Sequence, residues 1–170
     1  MCIIVDTNTF SSVFDKTSLN HSEFAPVLEW VIEGEGKIVF GGTKYKAELK
    51  EAKKFLRFIG QLNRSRKVVQ LEDSQIDAYQ IILEAKETHK DFDDPHLVAI
   101  SYISKCRLIC SLDKRAYPFL SRKDFYPNNS PRPSIYSSKK NAVLLCRKYI
   151  AEICKPCTIL NKAEIAILKK

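Results

Sequence analysis

Long hydrophobic runs are missing from this chain. None approaches the roughly 20 residues that a membrane-spanning helix needs, so the sequence predicts no membrane segment. The opening MCIIVDTNTF has no basic stretch and no small-residue cleavage site, so it does not read as a secretory leader. The six cysteines are scattered, and most lie inside apolar runs. Paired spacing of the kind that marks a disulfide scaffold is absent, and Cys2 and Cys110 read as small hydrophobes in strands. Together these features predict a reduced, intracellular protein, placed in the cytoplasm. There is no internal repeat and no long low-complexity segment. Acidic residues are outnumbered, 20 against 28 basic ones, which leaves a net charge of +8. A basic surface favours a polyanionic partner such as nucleic acid, and a generally solvated surface is the alternative.

Nearly half of the 170 residues are hydrophobic, enough for one ordinary core. Short apolar runs recur at Cys2–Val5, Lys37–Phe40, Val68–Leu71 and Leu108–Leu112. They are continuous, not alternating, as strands buried on both faces are. Helical spacing fills the intervals. Pro26 to Ile32 predicts a helix with proline near its start, ended by Gly34 and Gly36. Thr43 to Ile59 predicts a long helix stopped at Gly60, with Tyr45, Leu49, Ala52, Leu56 and Ile59 as its buried stripe. Ser74 caps a third helix, to about Glu87. Asp94 and Pro95 open a fourth, to about Lys105. This alternation predicts an α/β fold, a three-layer α/β/α arrangement around a central parallel sheet. From Tyr126 to about Lys140 proline, asparagine and serine predict a loop or linker. Helical spacing resumes from Asn141 to Cys154 and from Lys162 to Lys170. The division expected is a domain over 1–125 and a C-terminal loop and helical extension over 126–170, packed on or next to it.

Four acids occupy telling places. Asp6 and Asp113 follow apolar strands, while Glu48 and Asp94 stand at helix starts. In an open parallel sheet, sites are built at that edge. Carboxylates gathered there would hold a hard cation such as Mg²⁺ or Mn²⁺, since they repel one another without one. Each acid also has a plain reading. Asp94 before Pro95 is an ordinary helix cap. Asp6 and Asp113 are polar punctuation after strands. Glu48 forms an exposed pair with Lys44, or Glu51 takes its place.

Three stretches give the set a family likeness. Ile4-Val5-Asp6-Thr7-Asn8, Asp94-x-x-Leu97-Val98-Ala99-x-Ser101 and Leu108-Ile109-Cys110-Ser111-Leu112-Asp113-Lys114 resemble the opening strand, acid-led helix and Ser/Thr-x-Asp strand end of PIN domains. These are nucleases found in toxin–antitoxin pairs and in RNA-processing factors. The likeness covers roughly residues 2–120. It implies a metal-dependent endoribonuclease with Asp6, Glu48, Asp94 and Asp113 as the catalytic acids. Asp6, Asp94 and Asp113 would be ligands of Mg²⁺ or Mn²⁺, and Asn8 and Ser111 would orient carboxylates. A toxin neutralised by a small antitoxin is the first reading, with homodimers common among such relatives. An RNA-processing nuclease, a DNA nuclease and a non-catalytic RNA-binding or scaffold protein are the alternatives. A phosphatase-type domain is less well matched, because Asp6-Thr7-Asn8 lacks a second Asp.

Lys46 and Lys50, on the Thr43–Ile59 helix, and Lys114 and Arg115 are the candidate contacts to RNA phosphates, with a solvated surface as the plain reading. Arg115 stands where many relatives carry a further acid. Asp91 is an auxiliary ligand or a solvated loop acid. Cys154-Lys155-Pro156-Cys157 has CxxC spacing but no second pair to complete a zinc site, and the three histidines are too dispersed to assign.

Overall fold

The computed structural model describes residues 2–169. Five parallel strands form one sheet: β1 (Cys2–Val5), β2 (Lys37–Phe40), β3 (Val68–Gln70), β4 (Leu108–Cys110) and β5 (Ser134–Tyr136). Their order is β3-β2-β1-β4-β5, and helices cover both faces, so the α/β/α expectation holds. In β1, β2 and β4 every residue is buried, which is why those runs are continuously apolar in the sequence. The chain grows outward from β1 to β3, then returns to the other side of β1 for β4 and β5. Ile4 and Val5 of β1 lie in register with Ile109 and Cys110 of β4. The strand order therefore reverses between β1 and β4, and the crevice past their carboxyl ends is the place where such sheets build sites.

The helices are α1 (Phe10–Phe14), α2 (His21–Ile32), α3 (Thr43–Glu51), α4 (Lys53–Arg64), α5 (Asp73–Lys86), α6 (Pro95–Ser104), α7 (Tyr117–Leu120) and α8 (Lys162–Leu168). α6 lies against β1, β2 and β4, with α5 packed on it. Eight of its ten residues are buried, as in a helix enclosed on most sides. Among the described residues no helix is long and apolar enough to cross a membrane.

Five details differ from the sequence reading. α2 begins at His21, a turn before Pro26, which lies inside it. The single helix expected over Thr43–Ile59 is two, because Ala52 leaves helical geometry at ψ 47°. The break rotates the stripe: Phe55, Ile59 and Leu62 face the core, and Leu56 is 40% exposed. Gly60 does not stop α4, which runs on to Arg64. The Pro-rich segment carries β5, in register with β4 from Leu108–Ser134 to Cys110–Tyr136, and Tyr136 is buried. The stretch from Asn141 to Cys154 forms short 3-10 turns in place of an α-helix.

The C-terminal segment also crosses the amino edge of the sheet. Cys154 is disulfide-bonded to Cys2 at the start of β1, against the expectation of a reduced protein in which Cys2 is a small hydrophobe. Lys37 Nζ donates to the Pro156 carbonyl at 2.8 Å, and buried Lys67 donates to Gly34 and Thr158 carbonyls at 2.7 and 2.6 Å. Arg107 reaches the Lys148 carbonyl at 2.7 Å.

Candidate functional site

At the carboxyl edge, β1 delivers Asp6 directly into the crevice, 2% exposed. Its Oδ2 accepts from the Ser111 hydroxyl at 2.8 Å and its Oδ1 from the Asn8 amide at 3.0 Å. Ser111 follows β4, so the two strands that define the crevice are joined through this carboxylate. The expected orienting role of Ser111 has its hydrogen bond. Asn8 contributes its backbone amide, and its side chain is exposed.

α3 supplies Glu48. Gly42 sets the start of that helix at φ +85°, where a Cβ would meet Ile76 Cγ2 at 2.6 Å, so only glycine fits. Tyr45, one turn before Glu48, donates to the Val5 carbonyl at 2.6 Å and fixes α3 against the end of β1. Glu48 Oε2 then accepts from the Thr7 hydroxyl at 2.7 Å and lies 3.4 Å from His96 Nε2. Lys44 does not form the expected pair with Glu48; its ammonium donates to the Asp93 carbonyl.

Asp94 stands at the N-cap of α6 but makes no side-chain capping bond. The plain reading of this residue as a cap therefore lacks the interaction that would justify it. The residue is 8% exposed, and His96 Nδ1 is 4.0 Å from its Oδ1. One carboxylate oxygen of Glu48, one of Asp94 and one ring nitrogen of His96 all lie within 4.8 Å of one another, close enough to share a metal ion.

The electrostatics follow from this crowding. Burial raises the Asp6 pKa above its ordinary value, against the pull of the Ser111 and Asn8 bonds. Burial pushes the Asp94 carboxyl up to about 6, with the charges of Asp6, Asp93 and Glu48 adding to the rise and His96 opposing it. For Glu48, burial is outweighed by the His96 contact and the Thr7 hydroxyl, and its pKa falls. Two of these carboxylates are thus held where ionisation is costly, the condition that a bound cation relieves.

Asp113 has different company. Its amide donates to Ser111 Oγ at 3.1 Å, which places it beside Asp6, but its carboxylate is gripped by Arg115 Nη2 at 2.7 Å and Nε at 3.1 Å. This bidentate bond lowers its pKa. Arg115 also lies 3.9 Å from carboxylate oxygens of both Asp91 and Asp93. The acids therefore sort into an inner group, Asp6, Glu48 and Asp94 around His96, and an outer group, Asp91, Asp93 and Asp113 around Arg115.

Of the candidate phosphate contacts, Lys46 is paired with Asp73 at 2.6 Å and Arg115 is engaged as described. Lys50 and Lys114 are exposed and form no ion pair among the described residues. Thr7 and His96 belong to the cluster although the sequence reading assigns them no role. The signal for His96 is a lone imidazole two residues into an acid-led, otherwise apolar helix.

Comparison with known proteins yields no match: no family model, no curated protein and no solved structure matches the chain.

Proposed function

We propose that this protein is a metal-dependent endoribonuclease of the PIN type. The observation that carries the reading is the meeting of Asp6, Glu48 and Asp94, from a strand end and two helices, in the crevice where the strand order reverses. Capping accounts for the Asp6 carboxylate in part, since it accepts from the Asn8 amide at the start of the turn Thr7–Thr9, but not for Asp94. The Asp94 carboxylate caps nothing, and burial works against the charged forms of Asp6 and Asp94.

The donor set fits a divalent cation. Asp6 and Asp94 would hold it with carboxylate oxygens, Glu48 stands beside them, and Asp113 would join once it exchanges Arg115 for the metal. A divalent cation in such a site supplies an activated water and charge stabilisation for the leaving oxygen. The chain's own contributions are separate. Ser111 and the Asn8 amide hold Asp6 in one orientation. Thr7 does the same for Glu48. Lys50 and Lys114 present free ammonium groups to the phosphates of an RNA strand. Arg115, freed from Asp113, would be a further phosphate contact.

A toxin restrained by a small antitoxin protein is the biological setting we favour, in the cytoplasm, where RNA is at hand. There, reduction would open the Cys2–Cys154 bond and leave a buried thiol at the start of β1. The test is incubation of purified protein with labelled RNA and DNA of one sequence, with Mn²⁺, Mg²⁺ or EDTA. Metal-dependent loss of RNA alone supports the reading. Loss of DNA alone would replace it with a DNA nuclease, and binding of RNA without cleavage would favour a non-catalytic RNA-binding protein.

A further inference from the structure

His96 is the one member of the inner cluster to which the nuclease reading gives no task. The residue is 1% exposed, enclosed in the body of α6 beneath the crevice. Tyr45, which ties α3 to β1, meets the ring edge-on with centroids 6.1 Å apart. The two ring nitrogens have unlike surroundings. Nε2 lies 3.4 Å from Glu48 Oε2, within ion-pair distance of a carboxylate. Nδ1 is buried and has no hydrogen-bond partner. Leaving a buried polar atom unpaired costs about 1–3 kcal/mol, so it calls for an explanation.

The spacing supplies one. Asp94 Oδ1 lies 4.0 Å from Nδ1, too far for a hydrogen bond. Two ligand atoms that share one ion, each about 2.1 Å from it, stand about 3 Å apart when adjacent and about 4.2 Å apart when opposite. The observed gap lies inside that interval. The Nε2 side completes a familiar metal-site arrangement, in which a carboxylate holds one ring nitrogen and so turns the lone pair of the other toward the ion.

We propose that His96 Nδ1 is a direct nitrogen ligand of the metal at this site, and that the site therefore takes a first-row divalent transition ion in preference to Mg²⁺. Imidazole binds such ions well and binds Mg²⁺ poorly, whereas carboxylates alone favour the harder cation. Glu48 is then the orienting partner of His96. The proposal rests on the reading of this edge as a metal site and adds the nitrogen to it.

Mn²⁺ is the probe. Purified full-length protein, stripped with EDTA and loaded with Mn²⁺, is examined by pulsed electron paramagnetic resonance, beside His96→Gln. The expected spectrum of the wild type contains coupling to a directly bound imidazole nitrogen, and the variant loses it. Mn²⁺ affinity measured by titration falls about tenfold or more in His96→Gln, while Mg²⁺ affinity changes much less. Bound Mn²⁺ with only oxygen and water couplings in the wild type would overturn the proposal, and that result does not depend on whether the variant folds. So would Mg²⁺ that displaces Mn²⁺ at equal concentration, or the absence of Mn²⁺ binding in the millimolar range. RNA cleavage by the same preparations separates the two claims. A nitrogen signal without cleavage would remove the nuclease reading and leave this site standing. Cleavage with Mg²⁺ and no nitrogen signal would do the reverse.

Discussion

The two edges of the sheet handle charge in opposite ways. At the amino edge, the cations Lys37 and Lys67 are spent on backbone carbonyls of the segment that crosses it, and a disulfide secures the same segment to β1. Burial beside Lys37 holds the Lys67 ammonium down at about 8, yet its hydrogen bonds go to Gly34 and Thr158 and close off that end. At the carboxyl edge, Asp6, Glu48 and Asp94 are brought together with a single buried imidazole among them, and one nitrogen is left unpaired. The first edge spends its charges on holding the chain together. The second keeps like charges close at a cost, and the metal-site proposal rests on that cost.

The largest difference between the edges should appear in activity. Asp6→Asn and Asp94→Asn would each remove a charged ligand of the proposed metal and should lower RNA cleavage by at least about a hundredfold, with far-ultraviolet circular dichroism unchanged. Cys154→Ser, at the other edge, should leave cleavage by the folded protein intact. It should instead reduce unfolding free energy by about 2–5 kcal/mol, because it opens a loop that spans most of the chain. Urea titration measures this, and added reductant should weaken the wild type but not the variant. A loss of cleavage in Cys154→Ser under conditions where it is folded would erase the distinction between the edges.

A smaller effect tests the claim that the acids are held at a cost. The folded-state pKa of Asp94 lies above its value in the unfolded chain, so the native metal-free protein binds the extra proton. The stability this gives is fully present below the unfolded pKa and is lost as pH rises through about 6. In EDTA, Asp94→Asn should therefore be more stable than the wild type near pH 8, by up to about 2 kcal/mol, and the advantage should vanish near about pH 4. Thermal melts across that range would show it, and Mn²⁺ should stabilise the wild type at neutral pH but not the variant. The smallest effect belongs to the surface. Lys50→Glu with Lys114→Glu should weaken RNA binding at low salt and lower the slope of log affinity against log salt by about 1 for each lysine. Filter binding at several salt concentrations reads both, and an unchanged slope would take this surface away from the RNA.

The sheet's interior was legible in the sequence because β1, β2 and β4 are buried on both faces, and continuous apolar runs are the direct mark of that burial. Asp94 and Pro95 marked the start of α6 for the same kind of local reason. β5 was hidden, since its three residues follow Pro131 and Pro133 and owe their extended form to pairing with β4. The break at Ala52 carries no proline or glycine to announce it. Gly60 misleads in the other direction, for it sits in open space inside α4. The acids could be picked out one by one from their places at strand and helix ends. How they sort into two groups could not, because it depends on Arg115 turning back on Asp113 and on Glu48 meeting His96 from another helix. The Cys2–Cys154 bond joins residues 152 apart and leaves no local trace.

The most direct measurement is cleavage of one labelled RNA by the wild type and by Asp94→Asn, at equal folded concentration, with Mn²⁺ and again with EDTA. The account predicts cleavage by the wild type with Mn²⁺ and none in the other three reactions. Equal cleavage by the two proteins with Mn²⁺, or cleavage by the wild type that persists in EDTA, would contradict it.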